Sequence, residues 1–330
     1  MLSPDKQEFI DRRMKERQEN LKQKHWDALD PTVPKIDAVP FSQPISDVAE
    51  ALTNLVEREG VSKLPVPTVI EDIGMILRQV TATYNAIRWV NADDTRYGLI
   101  GYRGSYTVVT LPLVRTIIDG LYNATALLDD PSRGRNYRIS GIYRMRRALQ
   151  LDQPKYANNP DWQPDLDRRR SIISRLMQMN SFTEADLDDR SNKWPLLSQY
   201  LKQEPRDSPH RMLMRQLTEL FWEEYSAVSH VSFDALLAHC GFLAKDRVPH
   251  EMRKTMDNAA MRHLTMHYAR AAGLVACLLT EVQHYFKFDG HNIDKRLRDV
   301  WMAMQQLYEV RELYAFRYNG LLREPEPAHI

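Results

Sequence analysis

Two charged residues interrupt an otherwise apolar run from Thr107 to Leu128: Arg115 and Asp119. A spacing of four puts them on one face of a helix. The arginine precedes the acid, which is the weaker order for an intrahelical pair, so each side chain is expected to seek a further partner on another helix. A guanidinium held in such surroundings suits a phosphate or carboxylate clamp. A second concentration of polar chemistry lies at Ser226 and His230, again four apart, with Ser229 and Ser232 beside them. Hydroxyl and imidazole can approach each other there. Nucleophilic catalysis needs more than this pair, because no strained nucleophile turn and no oxyanion hole can be recognised around it.

Histidines gather again at His263, His267 and His284, with Glu281 three residues before the last. One Glu-x-x-His is half of what a di-iron helical bundle requires, and no second copy occurs. No HExxH supplies two ligands with a general base, so no metal and no cofactor is expected. The run Arg262-His263-Leu-Thr-Met-His267 resembles the Arg-polar-x-x-x-His pattern of helical HEPN ribonucleases. That resemblance implies an alternative function, RNA cleavage, with Arg262 binding phosphate and His267 acting as general acid or base.

Between Pro131 and Arg175 the chain holds eleven basic residues against four acidic ones, a local net charge of +7 that leaves the remainder at −6. Arg144, Arg146 and Arg147 form one group and Arg168, Arg169 and Arg170 another, with Tyr137, Tyr143, Tyr156 and Trp162 interleaved. Arginines in forked contact with phosphates, with aromatics to stack on bases, would bind a nucleic acid, a phosphate ligand or an acidic protein surface. The competing expectation is that these arginines pair with the acidic Glu184 to Asp189 stretch or with a second copy of the chain.

The Arg115-x-x-x-Asp119 helix followed by Trp222-x-x-x-Ser226-x-x-x-His230-x-Ser232 resembles a bacterial family of helical domains of unknown function. Its members carry an Arg-x-x-x-Glu helix and a Tyr-x-x-x-Ser-x-x-x-His-x-Ser helix. The likeness spans about Thr68 to Leu128 and Pro209 to Phe286. Asp119 stands for the usual Glu and Trp222 for the usual Tyr. The resemblance implies an all-helical fold with Arg115, Asp119, Ser226 and His230 in one cluster; it implies no reaction.

The elements that must position these residues follow from composition and periodicity. With 330 residues, 43% hydrophobic, 27% charged and a net charge of +1, the chain reads as globular and cytoplasmic, neither globally basic nor disordered. Twelve glycines are too few for glycine-rich phosphate loops or many-turned β architectures. Two cysteines, Cys240 and Cys277, cannot make a disulfide framework. No N-terminal apolar segment marks a signal peptide, and no stretch reaches the ~20 apolar residues that span a membrane.

No sustained alternation of period two occurs, so the fold class is all-α. Residues 1–66 are expected to form an N-terminal helical arm and a connector held extended by Pro31, Pro34, Pro40 and Pro44, with a short helix from Ser46 to Glu59 stopped at Gly60. Residues 67–323 should form a bundle of four or five long helices: from Thr68, Ser105–Leu128, Pro209–Leu243, Val248–Phe286 and Ile293–Tyr318. An Arg-rich helical insertion at about 131–205 packs outside them, and 324–330 should be a disordered tail. Self-association through the opposed charges is a further expectation.

Overall fold

The computed structural model describes residues 36–64, 66–91, 104–229, 250–288 and 292–322. Among them there is no strand, and the fold is all-α. The N-terminal arm before residue 36 and the tail at 324–330 lie outside the described residues.

The first helix, α1, runs Val39–Lys63, so Pro40 and Pro44 are helical rather than extended, while Pro31 and Pro34 lie outside the described residues. Pro40 sits in its first turn, where a missing N–H would lack an intrahelical acceptor anyway. Pro44 lies inside the helix and costs about 3 kcal/mol. Phe41, Ile45, Val48, Ala49 and Leu52 are each at most 1% exposed, and each large apolar side chain among them contributes about 1.5–3 kcal/mol, so burial outweighs the proline. Gly60 does not stop the helix either. A Cβ built there would lie 2.9 Å from Ile70 Cγ2, so this glycine lets α1 and the next helix approach closely.

That next helix, α2 (Pro67–Asn91), buries Val69, Ile73, Ile76, Val80, Tyr84 and Ile87, the stripe read from the sequence. α3 (Gly104–Asp129) buries Leu111, Val114, Ile117, Ile118, Leu121 and Leu127. After a 3-10 turn the outer helices follow: α4 (Gly134–Tyr156), α5 (Gln163–Met179), α6 (Glu184–Asp188) and α7 (Leu197–Tyr200). α8 (Pro209–Leu217) passes through a π-helical turn, Thr218–Trp222, into α9 (Glu223–Ser229). α10 (His250–Phe286) is the longest helix, and every residue from His267 to Gln283 on it is buried.

The expected helix from Ile293 to Tyr318 is broken into α11 (Ile293–Ala303), α12 (Tyr308–Leu313), a π-helical turn at Tyr314–Tyr318 and the short α13 (Asn319–Leu321). The break folds Leu307, Val310, Leu313 and Tyr318 back onto the core.

α3 and α10 are the central pair, α1 and α2 pack on both and on each other, and α11 closes against α1 and α10. The core unites Phe41 of α1 with Leu322 beyond α13, so the boundary expected at residue 66 does not separate α1 from the bundle. The outer layer has its own small core of Ile139, Ile142, Leu149, Leu166, Ile173, Phe182 and Leu187. α7 returns to the main core through Leu197 and Tyr200. Among the described residues no helix is long and apolar enough to cross a membrane.

Candidate functional site

α9 packs against α3, which brings the aromatic-Ser helix onto the Arg-Asp helix. Arg115 holds Asp119 side-on, Nη2 3.0 Å from Oδ1 and Nε 3.3 Å from Oδ2. Its Cζ lies 3.4 Å from the centroid of the Trp222 ring, a stacked cation–π contact. Trp222 ends the π-helical turn, whose extra residue sets the direction in which the indole leaves α9. Ser226 is partly buried on the same helix, four residues beyond Trp222. His230 lies outside the described residues.

The Arg115 side chain is 17% exposed and that of Asp119 48%. Burial raises the Asp119 pKa above the ordinary carboxylate value, against the opposing charge and hydrogen bonds of Arg115. Asp119 thus occupies the Nε and Nη2 edge of the guanidinium, and Nη1 is buried.

The ribonuclease alternative meets a different geometry. His267 is 0% exposed and its Nδ1 shares a 2.8 Å hydrogen bond with the Tyr225 hydroxyl of α9. His263 is also buried, 5.9 Å from His267 between ring centroids, while Arg262 is partly exposed. A general acid must reach its substrate. His267 occupies the position of a core histidine, with the Tyr225 phenol pushed up by burial beside it. Cys277 is buried as well, and burial pushes its thiol up to about 12, which leaves no thiolate nucleophile. Among the described residues no group of three or more His, Cys, Asp or Glu is placed to hold a metal ion.

Two buried charge networks were not foreseen. Arg270 on α10, 2% exposed, is held by Glu224 through Nη1 at 3.0 Å and by Glu309 through Nη2 at 2.6 Å. Glu281, fully buried on α10 at the end of the charge-free run, accepts from Arg317 and from the Tyr318 hydroxyl, and meets His210. The sequence signal was a glutamate closing the charge-free run from Ala271 to Thr280. Its partner is Arg317 on the C-terminal π turn rather than His284 and a metal.

The Arg-rich layer proves to be largely neutralised from within. Arg146 meets Glu184 and Asp188, and Arg135 meets Asp186 at 2.7 Å, as the competing expectation had it. Arg138 crosses to Asp72 and Glu71 of α2, both at 2.9 Å. Arg168 pairs with Asp165, Arg169 with Asp152 and Asp165, and Arg170 with Asp167. The acids responsible lie partly beyond Arg175, where the charge count stopped. Arg144 and Arg147 are exposed and make no ion pair among the described residues.

Comparison with family models, with curated proteins and with solved structures finds no match to this chain.

Proposed function

We propose that the protein is a helical binding module that docks an acidic protein surface on the outward face of α4. One observation carries this reading. Arg144, Arg147, Leu151 and Lys155 recur at three- and four-residue spacing, so they share one face, and all are exposed. Ala148 and Gly141 on the same face are small, and a Cβ at Gly141 would meet nothing within 4 Å. No other element of the described residues covers this stripe, while neighbouring arginines have spent their charge on internal acids.

Magnitudes choose between the anionic partners. A nucleic-acid interface typically neutralises about 6–10 phosphates. The stripe offers Arg144 and Arg147, plus Lys155 already 3.5 Å from Asp152. It also carries Leu151, 57% exposed, with Met145 at 41% on its flank. Arginine and methionine around an apolar centre are the composition of a protein-binding patch. The ribonuclease reading has no comparable support, because His267 is sealed in the core.

The test is a titration of the full chain with a fluorescent polyglutamate peptide and, separately, a single-stranded DNA oligonucleotide at several salt concentrations. Polyglutamate should bind in a salt-sensitive manner, and Arg144→Glu with Arg147→Glu should abolish binding while leaving Tm unchanged. Tighter oligonucleotide binding with a log–log salt slope near about −6 would install the nucleic-acid reading instead. Binding that survives the charge reversal would end both.

A further inference from the structure

Three mostly buried arginines have acceptors at both terminal nitrogens. Arg270 places Nη1 on Glu224 and Nη2 on Glu309. Arg211 places Nη2 on Asp129 and Nη1 on the carbonyls of Gln203 and Pro205. Arg138 places Nη1 on Asn180 and Nη2 on Glu71 and the Thr68 carbonyl. Arg115, like Arg317 on Glu281, gives Nε and Nη2 to one carboxylate, that of Asp119, but among the described residues its Nη1 is the arginine terminal nitrogen that is both buried and without an acceptor.

A buried amino group with two unmet N–H bonds is costly, about 1–3 kcal/mol or more for a charged donor, and such groups in folded proteins call for an explanation. Mere structural clipping of α3 does not supply one, since Asp119 already satisfies the other edge. The π-helical turn that ends at Trp222 is a second, independent signal, because such turns concentrate at functional sites. The third is position: Asp119 is half exposed, and Trp222 and Ser226 are only partly buried, so the side chains around the guanidinium reach the surface.

We infer that the Nη1 edge of Arg115 is a binding site for a small oxyanion, the carboxylate or phosphate group of a ligand, roofed by the Trp222 ring. The guanidinium would then carry two anions, as that of Arg270 does with Glu224 on Nη1 and Glu309 on Nη2. An Arg edge is the natural donor for either group, because its planar N–H pair matches two oxygens. Nη1 is covered, so ligand entry requires the indole to lift from the guanidinium. This site is separate from the α4 stripe and does not depend on it.

The experiment titrates the full chain with inorganic phosphate and, in a second arm, with acetate, reading calorimetric heat and tryptophan fluorescence. A saturable response is expected to at least one titrant, and the arm that saturates assigns the ligand group. Arg115→Lys keeps the charge but loses the planar edge, and should weaken the response about tenfold or more. Trp222→Phe should remove the fluorescence change while retaining the heat. Asp119→Asn removes the competing anion and should tighten binding about fivefold, which keeps the test decisive if Arg115→Lys does not fold. Two outcomes overturn the site: no saturable response to either titrant, or one unchanged in Arg115→Lys. Loss of the response in the Arg144→Glu, Arg147→Glu protein would place the anion on α4 and overturn it equally.

Discussion

Nδ1 of His210 on α8 lies 3.0 Å from Oε2 of Glu281, in the fully buried stretch of α10. The same carboxylate accepts from Arg317 Nη2 at 2.5 Å and from the Tyr318 hydroxyl at 3.0 Å. Two consecutive residues of a helix ordinarily diverge by about 100°. The π-helical turn at Tyr314–Tyr318 widens that geometry and lets both reach one acceptor. Glu281 thus ties α8 and the C-terminal turn to the central helix.

Acid titration should expose this tie. Burial alone would raise the Glu281 pKa, but the hydrogen bonds and charges of Arg317 and His210 outweigh it and hold the carboxyl at about 2, below its ordinary 4.5. A depressed folded-state pKa means the contribution is complete above about pH 4.5 and is lost as pH falls toward 2. The difference is worth about 3 kcal/mol. Urea unfolding of the wild type should therefore lose about that much across this window, and Glu281→Gln should lose less while starting less stable. Parallel curves for the two proteins would remove the carboxylate from the account.

Gly120→Ala probes the closest approach of α2 and α3. A Cβ there would fall 2.4 Å from Cγ2 of Val80, a branched core side chain that is 1% exposed and has little room to turn. Alanine gains about 1 kcal/mol of helix propensity, whereas overpacking costs about 1–3 kcal/mol. At so short a distance the clash wins, so chemical denaturation should show a net loss of about 1–2 kcal/mol. A stabilised variant would mean the two helices separate easily. Gly120→Ala with Val80→Ala should relieve the clash but leave less apolar burial.

The two sites also show what a single sequence can and cannot carry. The stripe Val69, Ile73, Ile76, Val80, Tyr84, Ile87 was legible because burial on one helical face imposes its own period, and all six are at most 4% exposed. Pro40 and Pro44 misled, because a local breaker is overruled when the residues around it can fill a core. Arg115 and Asp119 stood out as charges in an apolar run, and their pairing is real. Periodicity tells which face a residue occupies, never which distant residue meets it. So the Trp222 roof, the Arg317 clasp on Glu281 and the acids that quench the Arg-rich layer were out of reach.

Arg138 is a polar link between the outer layer and the bundle. Its Nε lies 2.9 Å from Asp72, which is 2% exposed, and the same guanidinium reaches Glu71 and the Thr68 carbonyl of α2. Arg138→Met would strand a buried carboxylate, a loss of about 3 kcal/mol at neutral pH. Burial already holds the Asp72 pKa above 3.8 despite the arginine, and without Arg138 it should rise further. A raised pKa makes the charged form the costly one, so the deficit should shrink as pH falls and Asp72 takes up a proton. Asp72→Asn added to Arg138→Met should recover part of the loss at neutral pH. A deficit independent of pH, with no recovery, would show that Arg138 acts by packing alone.

His267→Ala separates a core histidine from a catalytic one. The substitution empties a fully buried ring site and takes the Nδ1 hydrogen-bond partner from Tyr225, whose hydroxyl lies 2.8 Å away. Cavity and lost hydrogen bond together should cost about 2–4 kcal/mol, with Tm falling accordingly. Tyr225→Phe should cost about 1 kcal/mol, and the double variant should cost less than the sum, since each single change already breaks the shared bond. A catalytic histidine predicts the opposite signature: Tm preserved, Tyr225 uncoupled, and RNA cleavage abolished by His267→Ala. That pattern would return the ribonuclease function to this chain and require His267 to become exposed when RNA binds.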